Sequence, residues 1–373
     1  MRIVVNTRLL LKDKLEGIGW FTYETLQRIT TQHPEHEFIF LFDRPYHKSF
    51  LFNSNVKAKV LFPPARSPFL WNLYFHYSIP FALKSLKADF YLSTEGYFTN
   101  RCDVKSVNVI HDLNFVHYPA FLPKNVVAYY QKYYANYATI PSRIATVSEY
   151  TKNDVHQTYG VDLDKIDVVY NGIHHLYHSK TTLENKETIL KYSNNCPYFI
   201  FVGLIHPRKN LKRSIEAFEI FKRKTGNNFK FLIVGEWKYD LEGLRNSVSV
   251  SEFKDDIVFL GRKSPMELSF LLSAASALIY TPIFEGFGIP IIEAFKSKTP
   301  VITSNVTSMP EVAAGGALIV DPFSANDIAK AMVTVTLDDA LRHKLVQIGE
   351  QRAKDFSWDK TAQLLWKSIE RAM

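Results

Sequence analysis

The sequence predicts an α/β fold with two Rossmann-like domains, because two series of short apolar runs alternate with amphipathic stretches. Such alternation is typical of parallel sheets covered by helices. A polar segment, Gly172–Asn195, separates the two series and is predicted to cross between the domains, with a short helix near Lys186–Tyr192. The chain has 373 residues, which suits two domains better than one ordinary core.

The first series predicts seven strands in a domain spanning residues 1–175. Amphipathic stretches at Trp20–Thr30 and Asn125–Thr139 predict helices between them. The predicted strands are Arg2–Asn6, Glu37–Asp43, Lys59–Phe62, Asp89–Ser93, Ser106–His111, Arg143–Ser148 and Asp167–Tyr170.

The second series predicts a domain over residues 196–355. Its ligands are expected at the carboxyl ends of the strands, in a cleft between the two domains. The predicted strands are Tyr198–Val202, Lys230–Val234, Ile257–Leu260, Ala277–Tyr280, Pro300–Thr303 and Ala317–Val320. The predicted helices include Leu211–Lys222, Ser264–Ala274, Pro290–Lys296 and Ala325–Leu337.

Composition narrows the class of protein. The formal net charge of +8 favours an acidic partner, namely a nucleoside diphosphate, an anionic membrane surface or a nucleic acid. The two cysteines, Cys102 and Cys196, match no metal-binding spacing and predict reduced thiols in a cytoplasmic protein. The N-terminal run is too short for a signal peptide, and no apolar run reaches the roughly 18 residues of a membrane span. Peripheral contact with the inner face of the cytoplasmic membrane stays open.

The stretch from Thr281 to Ala294 carries the most information about chemistry. Gly286 and Gly288 allow a tight turn after a strand, and Pro290 suits the first position of a helix. The N-terminus of that helix presents free N–H groups, which suit a diphosphate. Glu285 precedes the turn and can face a sugar, whereas Glu293, in the first helical turn, can accept hydrogen bonds from ribose hydroxyls.

Three further positions follow predicted strands. Arg208 and Lys209 lie in a turn before a helix, where they can neutralise two phosphates and stabilise a leaving nucleoside diphosphate. Gly17 and Gly19 precede the predicted helix Trp20–Thr30 and can bring backbone N–H groups to the diphosphate. His111 ends a predicted strand and can hydrogen-bond a sugar.

The Glu-x7-Glu pattern within EGFGIPIIEA resembles the hallmark of retaining glycosyltransferases of family 4, which adopt the GT-B fold of two facing Rossmann-like domains. The resemblance covers nearly the whole chain. It implies that Glu293 binds the nucleotide ribose and that Glu285 contacts hydroxyls of the donor sugar. It also implies that backbone N–H groups around Phe287, Gly288 and Ile289 hold sugar and phosphate.

Other segments extend the resemblance. Lys209 matches the family's lysine, and Gly203 lies in the same donor-binding loop. Leu204 departs from the family pattern, because many members carry a basic residue there; Arg208, in a PRKN form similar to a bacterial O-antigen mannosyltransferase-like branch, takes its place. The His111-Asp112 pair resembles the same branch, and Gly17 and Gly19 resemble the family's N-terminal glycine loop. Residues 356–373 look like the C-terminal helix that packs back on the first domain.

The resemblance implies transfer of a hexose, with mannose favoured, from a GDP- or UDP-sugar to a glycan or lipid-linked acceptor in cell-surface polysaccharide or lipopolysaccharide biosynthesis. It implies no metal and no cofactor besides the donor substrate, and no DxD motif stands at a predicted strand end. Two alternatives stay open: a nucleotide-sugar epimerase or hydrolase of the same fold, and a noncatalytic sugar-nucleotide-binding protein. The EGFGIPIIE string counts against the first alternative, and the presence of both Glu285 and Lys209 counts against the second. We expect no nucleic-acid partner because no nucleic-acid-binding motif is present.

Two aromatic runs, Phe69–Tyr77 and Tyr129–Tyr137, fall in the first domain. Helices that bury aromatic side chains in a core produce such runs, and so do surfaces that stack on sugars or lie in a membrane interface. The sequence leaves this choice open.

Overall fold

The computed structural model describes residues 1–237 and 243–373, and the chain divides into two compact units. Unit 1 comprises Met1–Gly172 together with Ser357–Met373, and unit 2 comprises Ile173–Phe356. Each unit contains one parallel sheet packed against helices, which confirms the predicted α/β class. Among the described helices, none combines the length and apolar character needed to span a membrane.

Unit 1 has a seven-stranded parallel sheet in the order β3-β2-β1-β4-β5-β6-β7. The strands Arg2–Asn6, Glu37–Phe42 and Phe90–Ser93 are near-continuous apolar runs, as is typical where helices cover both faces of a parallel sheet. The seven strands are β1 Arg2–Asn6, β2 Glu37–Phe42, β3 Val56–Val60, β4 Phe90–Ser93, β5 Lys105–Ile110, β6 Arg143–Thr146 and β7 Ile166–Val168.

Six helices of unit 1 lie in connections between its strands, and a seventh comes from the C-terminal part of the chain. They are α1 Gly17–Gln32, α2 Pro68–Leu73, α3 Ile79–Ser85, α4 Asn114–His117, α5 Lys124–Thr139, α6 Glu149–Tyr159 and α15 Trp358–Ala372. A π-helical turn, Tyr74–Ser78, joins α2 to α3.

Helix α15 packs against α1 and the β5–β6 region, as predicted for the C-terminal helix. Its apolar face buries Leu365 and Ile369, and the Trp366 ring stacks on His33 at 3.6 Å between ring centroids. The Asp167 carboxylate accepts hydrogen bonds from Ser368 and Arg371 of this helix, each at 2.7 Å. The helix is therefore part of the core of unit 1.

Unit 2 has a six-stranded parallel sheet in the order β10-β9-β8-β11-β12-β13. Its strands are β8 Tyr198–Val202, β9 Lys230–Val234, β10 Ile257–Gly261, β11 Ala277–Tyr280, β12 Val301–Ser304 and β13 Leu318–Val320. Its helices are α7 Thr182–Ser193, α8 Leu211–Thr225, α9 Leu244–Ser249, α10 Pro265–Ala274, α11 Ile289–Lys296, α12 Met309–Ala313, α13 Ala325–Leu337 and α14 Asp339–Ala353.

All thirteen predicted strands are present, but several predicted bounds were wrong. Strand β3 begins at Val56 and ends at Val60, so Leu61 and Phe62 lie beyond it. Helix α1 begins at Gly17 and helix α11 at Ile289, each earlier than predicted. The segment predicted as a crossing contains the twelve-residue helix α7, which a capping box between Thr181 and Glu184 starts.

Candidate functional site

The strand orders locate the ligand-binding edge of each sheet. In both units the second and third strands are added on one side of the first strand, and all later strands are added on the other side of the first strand. The reversal falls between β1 and β4 in unit 1 and between β8 and β11 in unit 2. Open α/β sheets bind ligands beside the carboxyl ends of the two strands at such a reversal. Most of the predicted site residues follow β1, β8 or β11, whereas His111 follows β5, the neighbour of β4.

A buried ion cluster lies at this edge of unit 2. Arg208 and Lys209 occupy a 3₁₀ turn after β8, and Glu285 lies in the turn after β11. Oε1 of Glu285 accepts hydrogen bonds from Nη1 of Arg208 and Nζ of Lys209. Lys209 is 8% and Glu285 9% exposed, so this charge cluster is largely shielded from water. Three predicted site residues are thereby brought into direct contact.

The electrostatics keep Glu285 ionised. Burial alone would raise the pKa of this carboxyl, but the charges of Arg208 and Lys209 outweigh burial and hold the pKa below its ordinary value. A carboxylate can accept about four hydrogen bonds on its two oxygens, so two cations do not exhaust its capacity.

Tyr280 is a member of the cluster that the sequence reasoning missed. Its hydroxyl accepts a hydrogen bond from Nζ of Lys209 at 2.7 Å, and its side chain is fully buried. Burial, followed by the negative charge of Glu285, raises the pKa of Tyr280 well above its ordinary value, so the hydroxyl stays protonated. Its position as the last residue of β11, directly before the glycine turn, is the signal that could have identified it.

Asn210 fixes the two turns to each other. Its backbone is left-handed (φ 61°), and Nδ2 donates to the carbonyl oxygens of Thr281 at 3.0 Å and Pro322 at 2.7 Å. The N–H of Ile283 donates to the carbonyl of Arg208 at 2.8 Å. These bonds hold Arg208, Lys209 and Glu285 on a rigid frame.

The glycine turn ends at Gly288, the N-cap of α11, with a φ of +95°. The left-handed backbone favours glycine here, and an added Cβ atom would lie 2.7 Å from Cε of Met309, so the end of that side chain would have to shift. Ile289 is the first helical residue, and Pro290 is the second rather than the first. Gly286 and Phe287 lie in the turn itself, and the Phe287 side chain is buried.

Glu293 lies in the second turn of α11, not in the first as predicted. Burial raises the pKa of its carboxyl to about 8, and a hydrogen bond with Tyr177 opposes this rise in part. Tyr177 is 3% exposed and was not predicted as a site residue. The negative charge of Glu293 also contributes to the raised pKa of Tyr280, which places both carboxylates near the same tyrosine.

Gly203 follows β8 with a φ of +148°. Its carbonyl oxygen would lie only 1.8 Å from a Cβ atom built at Gly235, so the ends of β8 and β9 approach too closely for any side chain at Gly235. The loop that carries Arg208 and Lys209 therefore starts from a close backbone contact between the two strands.

In unit 1, His111 follows β5 and is held in one orientation. Its Nε2 lies 2.8 Å from the carbonyl oxygen of Thr94, and its ring packs edge-on against Phe21 at 5.1 Å between centroids. Burial lowers the pKa of His111 below its ordinary value, despite the hydrogen bond to Thr94. Because a carbonyl can only accept, Nε2 carries the proton and Nδ1 of the neutral ring is a hydrogen-bond acceptor.

Gly17 and Gly19 form the first turn of α1 rather than a loop before it. Gly19 is buried, and a Cβ there would lie 3.0 Å from the carbonyl oxygen of Leu9. Further along α1, the Thr22 hydroxyl lies 2.7 Å from that of Thr94, the residue that anchors His111. The start of α1 and His111 thus belong to one cluster in unit 1.

The structure brings the predicted residues together in two sets. One set, in unit 2, contains the ion cluster, the glycine turn, Gly203 and Glu293; the other, in unit 1, contains His111, Gly17 and Gly19. Asp112, next to His111, accepts hydrogen bonds from the backbone and side chain of Asn114 and so shapes the following turn.

The families that match the chain cover most of both units. "Glycosyltransferase Family 4" matches residues 16–175, and "Glycosyl transferases group 1" matches residues 184–352. The chain is 26% identical to the O-antigen chain mannosyltransferase B of Escherichia coli over 371 residues, which is 96% of this chain and 97% of that one. It is 35% identical over 219 residues to the O-antigen chain mannosyltransferase RfbU of Salmonella typhimurium, covering 57% and 56% of the two chains.

The fold is shared with solved structures. The Anabaena protein HepE, crystallised with UDP-glucose, superposes with a TM-score of 0.76 at 14% identity, over the full length of both chains. Together, the family matches over both units and the shared fold show that this chain is a glycosyltransferase of the family 4 type with the GT-B fold.

Proposed function

We propose that this enzyme transfers a hexose, with mannose favoured, from a nucleoside diphosphate sugar to a glycan or lipid-linked acceptor during synthesis of a cell-surface polysaccharide such as an O-antigen. The full-length similarity to an O-antigen chain mannosyltransferase supports the sugar and the acceptor class. The shared fold with a protein crystallised with UDP-glucose supports a nucleotide-sugar donor.

The observation that carries the proposal is the buried cluster of Arg208, Lys209 and Glu285. When the bond between the anomeric carbon and the phosphate oxygen breaks, the electron pair leaves with the nucleoside diphosphate. Two cations held in a water-poor site stabilise that developing charge far better than solvated cations would. The N-terminus of α11 adds backbone N–H groups near Ile289.

The donor sugar is positioned by Glu285 and His111. Glu285 is ionised and accepts hydrogen bonds from sugar hydroxyls, while Nδ1 of His111 accepts another. The acceptor hydroxyl attacks on the face from which the diphosphate leaves, its proton passes to the departing phosphate oxygen, and the anomeric configuration is retained. We name no covalent nucleophile.

The nucleotide is held by Glu293 and the glycine loops. Glu293 accepts hydrogen bonds from the ribose hydroxyls, and the N–H groups of the turn around Gly286, Phe287 and Gly288 bind sugar and phosphate. In unit 1 the first turn of α1, which contains Gly17 and Gly19, offers N–H groups to the diphosphate. No metal is required in this scheme, and a lipid-linked acceptor would be met at the membrane surface.

The first experiment incubates the purified chain with GDP-mannose, UDP-glucose and UDP-galactose and measures nucleoside diphosphate release with and without a lipid-linked acceptor extract. We expect release from one donor, accelerated by acceptor and unchanged by EDTA. Release that ignores the acceptor supports a hydrolase instead. No release, together with no donor-dependent change in melting temperature, contradicts the enzyme proposal.

Lys209→Met tests the cluster directly, with Lys222→Met as the matched control. Both lysines are buried and ion-paired in unit 2, but Lys222 pairs with Asp256 away from the glycine turn. We expect Lys209→Met to lower kcat about 100-fold, as loss of one preorganised cation should. The Lys222→Met variant should lose stability but keep its kcat. Equal kcat in both variants contradicts the role of Lys209.

A further inference from the structure

One segment of unit 1 exposes most of the accessible aromatic side chains in the described residues. Five Phe, Tyr or Trp side chains are exposed among the described residues, and four of them, Phe62, Phe69, Tyr77 and Phe81, lie within twenty residues of unit 1. They are 83%, 71%, 58% and 72% exposed. We call these four residues the aromatic face. Such concentration is unusual, because exposed apolar residues on a soluble domain are normally scattered.

The helical segment 68–85 carries three members of the aromatic face and is apolar on two sides. Its inner side buries Tyr74, Phe75 and Ile79 in the core of unit 1. Its outer side would ordinarily be polar, yet carries Phe69, Tyr77 and Phe81. The π turn at Tyr74–Ser78 adds about one residue to a helical turn, so Tyr77, eight positions after Phe69, lies roughly two turns further along the helix. Both rings therefore project on one side.

A hydrogen bond holds the backbone of Phe62 next to the outer side of this helical segment. The hydroxyl of Ser78 donates to the carbonyl oxygen of Phe62 at 2.6 Å, which places Phe62 beside Tyr77 and one helical turn from Phe81. The guanidinium carbon of Arg101 lies 6.0 Å from the centroid of the Tyr77 ring. The backbone of Phe62 therefore lies beside the helical segment at Ser78, and a cation borders the ring of Tyr77.

The sequence segment that carries the aromatic face has charged side chains of one sign. Residues 44–88 contain seven Lys and Arg residues and no Asp or Glu. Two of the seven are neutralised, because Arg44 pairs with Asp43 and Lys57 with Glu37. Within the stretches 1–237 and 243–373, no ion pair involves Lys59, Arg66, Lys84 or Lys87.

We propose that the aromatic face binds the anionic surface of a phospholipid bilayer. Phenylalanine and tyrosine rings insert at the boundary between headgroups and acyl chains, while Arg66, Lys84 and Arg101 bind lipid phosphates. A second copy of this chain fits the surface poorly, since self-association would bring like charges together. The surface belongs to unit 1 and does not depend on the identity of the donor.

The test is flotation of the full chain with vesicles of phosphatidylglycerol and phosphatidylethanolamine, compared with vesicles of phosphatidylcholine. We expect binding to the anionic vesicles at least tenfold tighter than to the neutral ones, weakened by raising NaCl from 0.1 to 0.5 M. A sulfated polysaccharide, heparin, is offered as a soluble competitor. Binding to heparin but not to vesicles overturns the proposal in favour of a polyanion site.

Two triple variants separate the aromatic from the electrostatic part. The first, Phe62→Ser, Phe69→Ser and Phe81→Ser, is matched by Leu183→Ser, Leu190→Ser and Leu337→Ser, which removes three comparably exposed apolar side chains of unit 2. The second, Arg66→Gln, Lys84→Gln and Arg101→Gln, is matched by Lys186→Gln, Lys330→Gln and Lys344→Gln, which removes exposed cations of unit 2.

Each test variant should reduce binding to anionic vesicles at least tenfold, and each matched control should bind as the parent does. All four should keep the parent's melting temperature within a few degrees and release nucleoside diphosphate at the parent's rate without vesicles. Full vesicle binding by the aromatic variant overturns the proposal. So does a concentration-dependent dimer, detected by light scattering, that only this variant abolishes, because the aromatic face would then be a subunit interface.

Discussion

The ammonium of Lys209 lies 2.7 Å from the hydroxyl oxygen of Tyr280, which ends strand β11 and is fully buried. Lys209 also pairs with Glu285 in the turn that follows the same strand. The strand and its turn together therefore fix the direction of a cation that belongs to a different loop. A preorganised cation needs no rearrangement when charge develops on a leaving group.

Tyr280→Phe should lower kcat about tenfold and raise the KM for the donor, because Lys209 loses one of the groups that orient it. The cost in free energy of unfolding should be about 1 kcal/mol, the usual net value of one hydrogen bond. Nucleoside diphosphate release measures the first effect and thermal unfolding the second.

Tyr198→Phe is the matched control for this change. Tyr198 is also fully buried in unit 2, and its hydroxyl donates to the carbonyl of Leu271 at 2.8 Å. We expect a similar loss of stability with unchanged kcat and KM. If both variants have the same kinetics, then Tyr280 serves only packing.

Gly288→Ala should weaken donor binding and destabilise unit 2 by about 2–3 kcal/mol, because the methyl group meets Met309 and the backbone keeps a positive φ. Gly160→Ala provides the comparison: this glycine also has a positive φ, of 68°, but no atom lies within 4 Å of its added Cβ. It should cost about 1 kcal/mol and leave the donor KM unchanged. Equal losses of stability would mean that the contact with Met309 is relieved by its flexible side chain.

Much of the fold could be predicted because buried parallel strands appear in the sequence as apolar runs. Strand β3 is an exception, because it is an edge strand with the sequence Val-Lys-Ala-Lys-Val. Its alternating lysines weaken the apolar pattern, so the strand was predicted too late in the sequence, at the more apolar residues that follow. The start of α1 was missed for another reason. Two glycines are poor helix formers, yet the helix begins at Gly17 after an extended Glu16.

The site was predicted unevenly for similar reasons. Charged residues in a motif, such as Lys209 and Glu285, could be identified because few other roles explain them. Tyr280 and Asn210 could not, since their importance arises from hydrogen bonds between segments about 70 residues apart. The aromatic run at residues 69–77 predicted both a core and a surface, and the structure divides it between the two, with Tyr74 and Phe75 buried and Phe69 and Tyr77 exposed.

The raised pKa of Glu293 makes stability depend on pH. The folded-state pKa is about 8, above the value of an unfolded glutamate, so the folded chain holds a proton that the unfolded chain has released. The contribution of this proton to the free energy of unfolding is fully present below the unfolded pKa, near 4.3, and is lost as pH rises through about 8. The melting temperature should therefore fall between pH 5 and 9 by several degrees more in the parent than in Glu293→Gln.

The control for this prediction is Glu311→Gln, the same change at an acid in the first turn of helix α12, and only Glu293→Gln should flatten the profile. In Tyr177→Phe the stability should fall more steeply with rising pH than in the parent, because the hydrogen bond from Tyr177 lowers the pKa of Glu293 and its loss raises that pKa further. Parallel profiles for the parent and Glu293→Gln would show that this carboxyl titrates normally.

Asp167→Asn should loosen the attachment of α15 to unit 1. Burial would raise the pKa of the Asp167 carboxyl, but hydrogen bonds from Arg143, Ser368 and Arg371 outweigh it and lower the pKa. A lowered pKa stabilises the fold above the unfolded value, near 3.9, and this contribution is lost as pH falls through the folded value. At pH 7 we expect a loss of about 2 kcal/mol, since a buried charged acceptor of several hydrogen bonds is removed.

Asp359→Asn is the control on the same helix. Asp359 pairs with Arg28, but its side chain is 70% exposed, and an exposed ion pair contributes about 0–1 kcal/mol. At pH 7 the melting temperature of Asp167→Asn should lie several degrees below that of the parent, and the melting temperature of Asp359→Asn should be close to that of the parent. At pH 3 the gap for Asp167→Asn should narrow, because this pH lies below the pKa of an unfolded aspartate, near 3.9, so part of the contribution of the charged carboxylate is already lost. A gap of constant size at both pH values would assign the loss to packing rather than to charge.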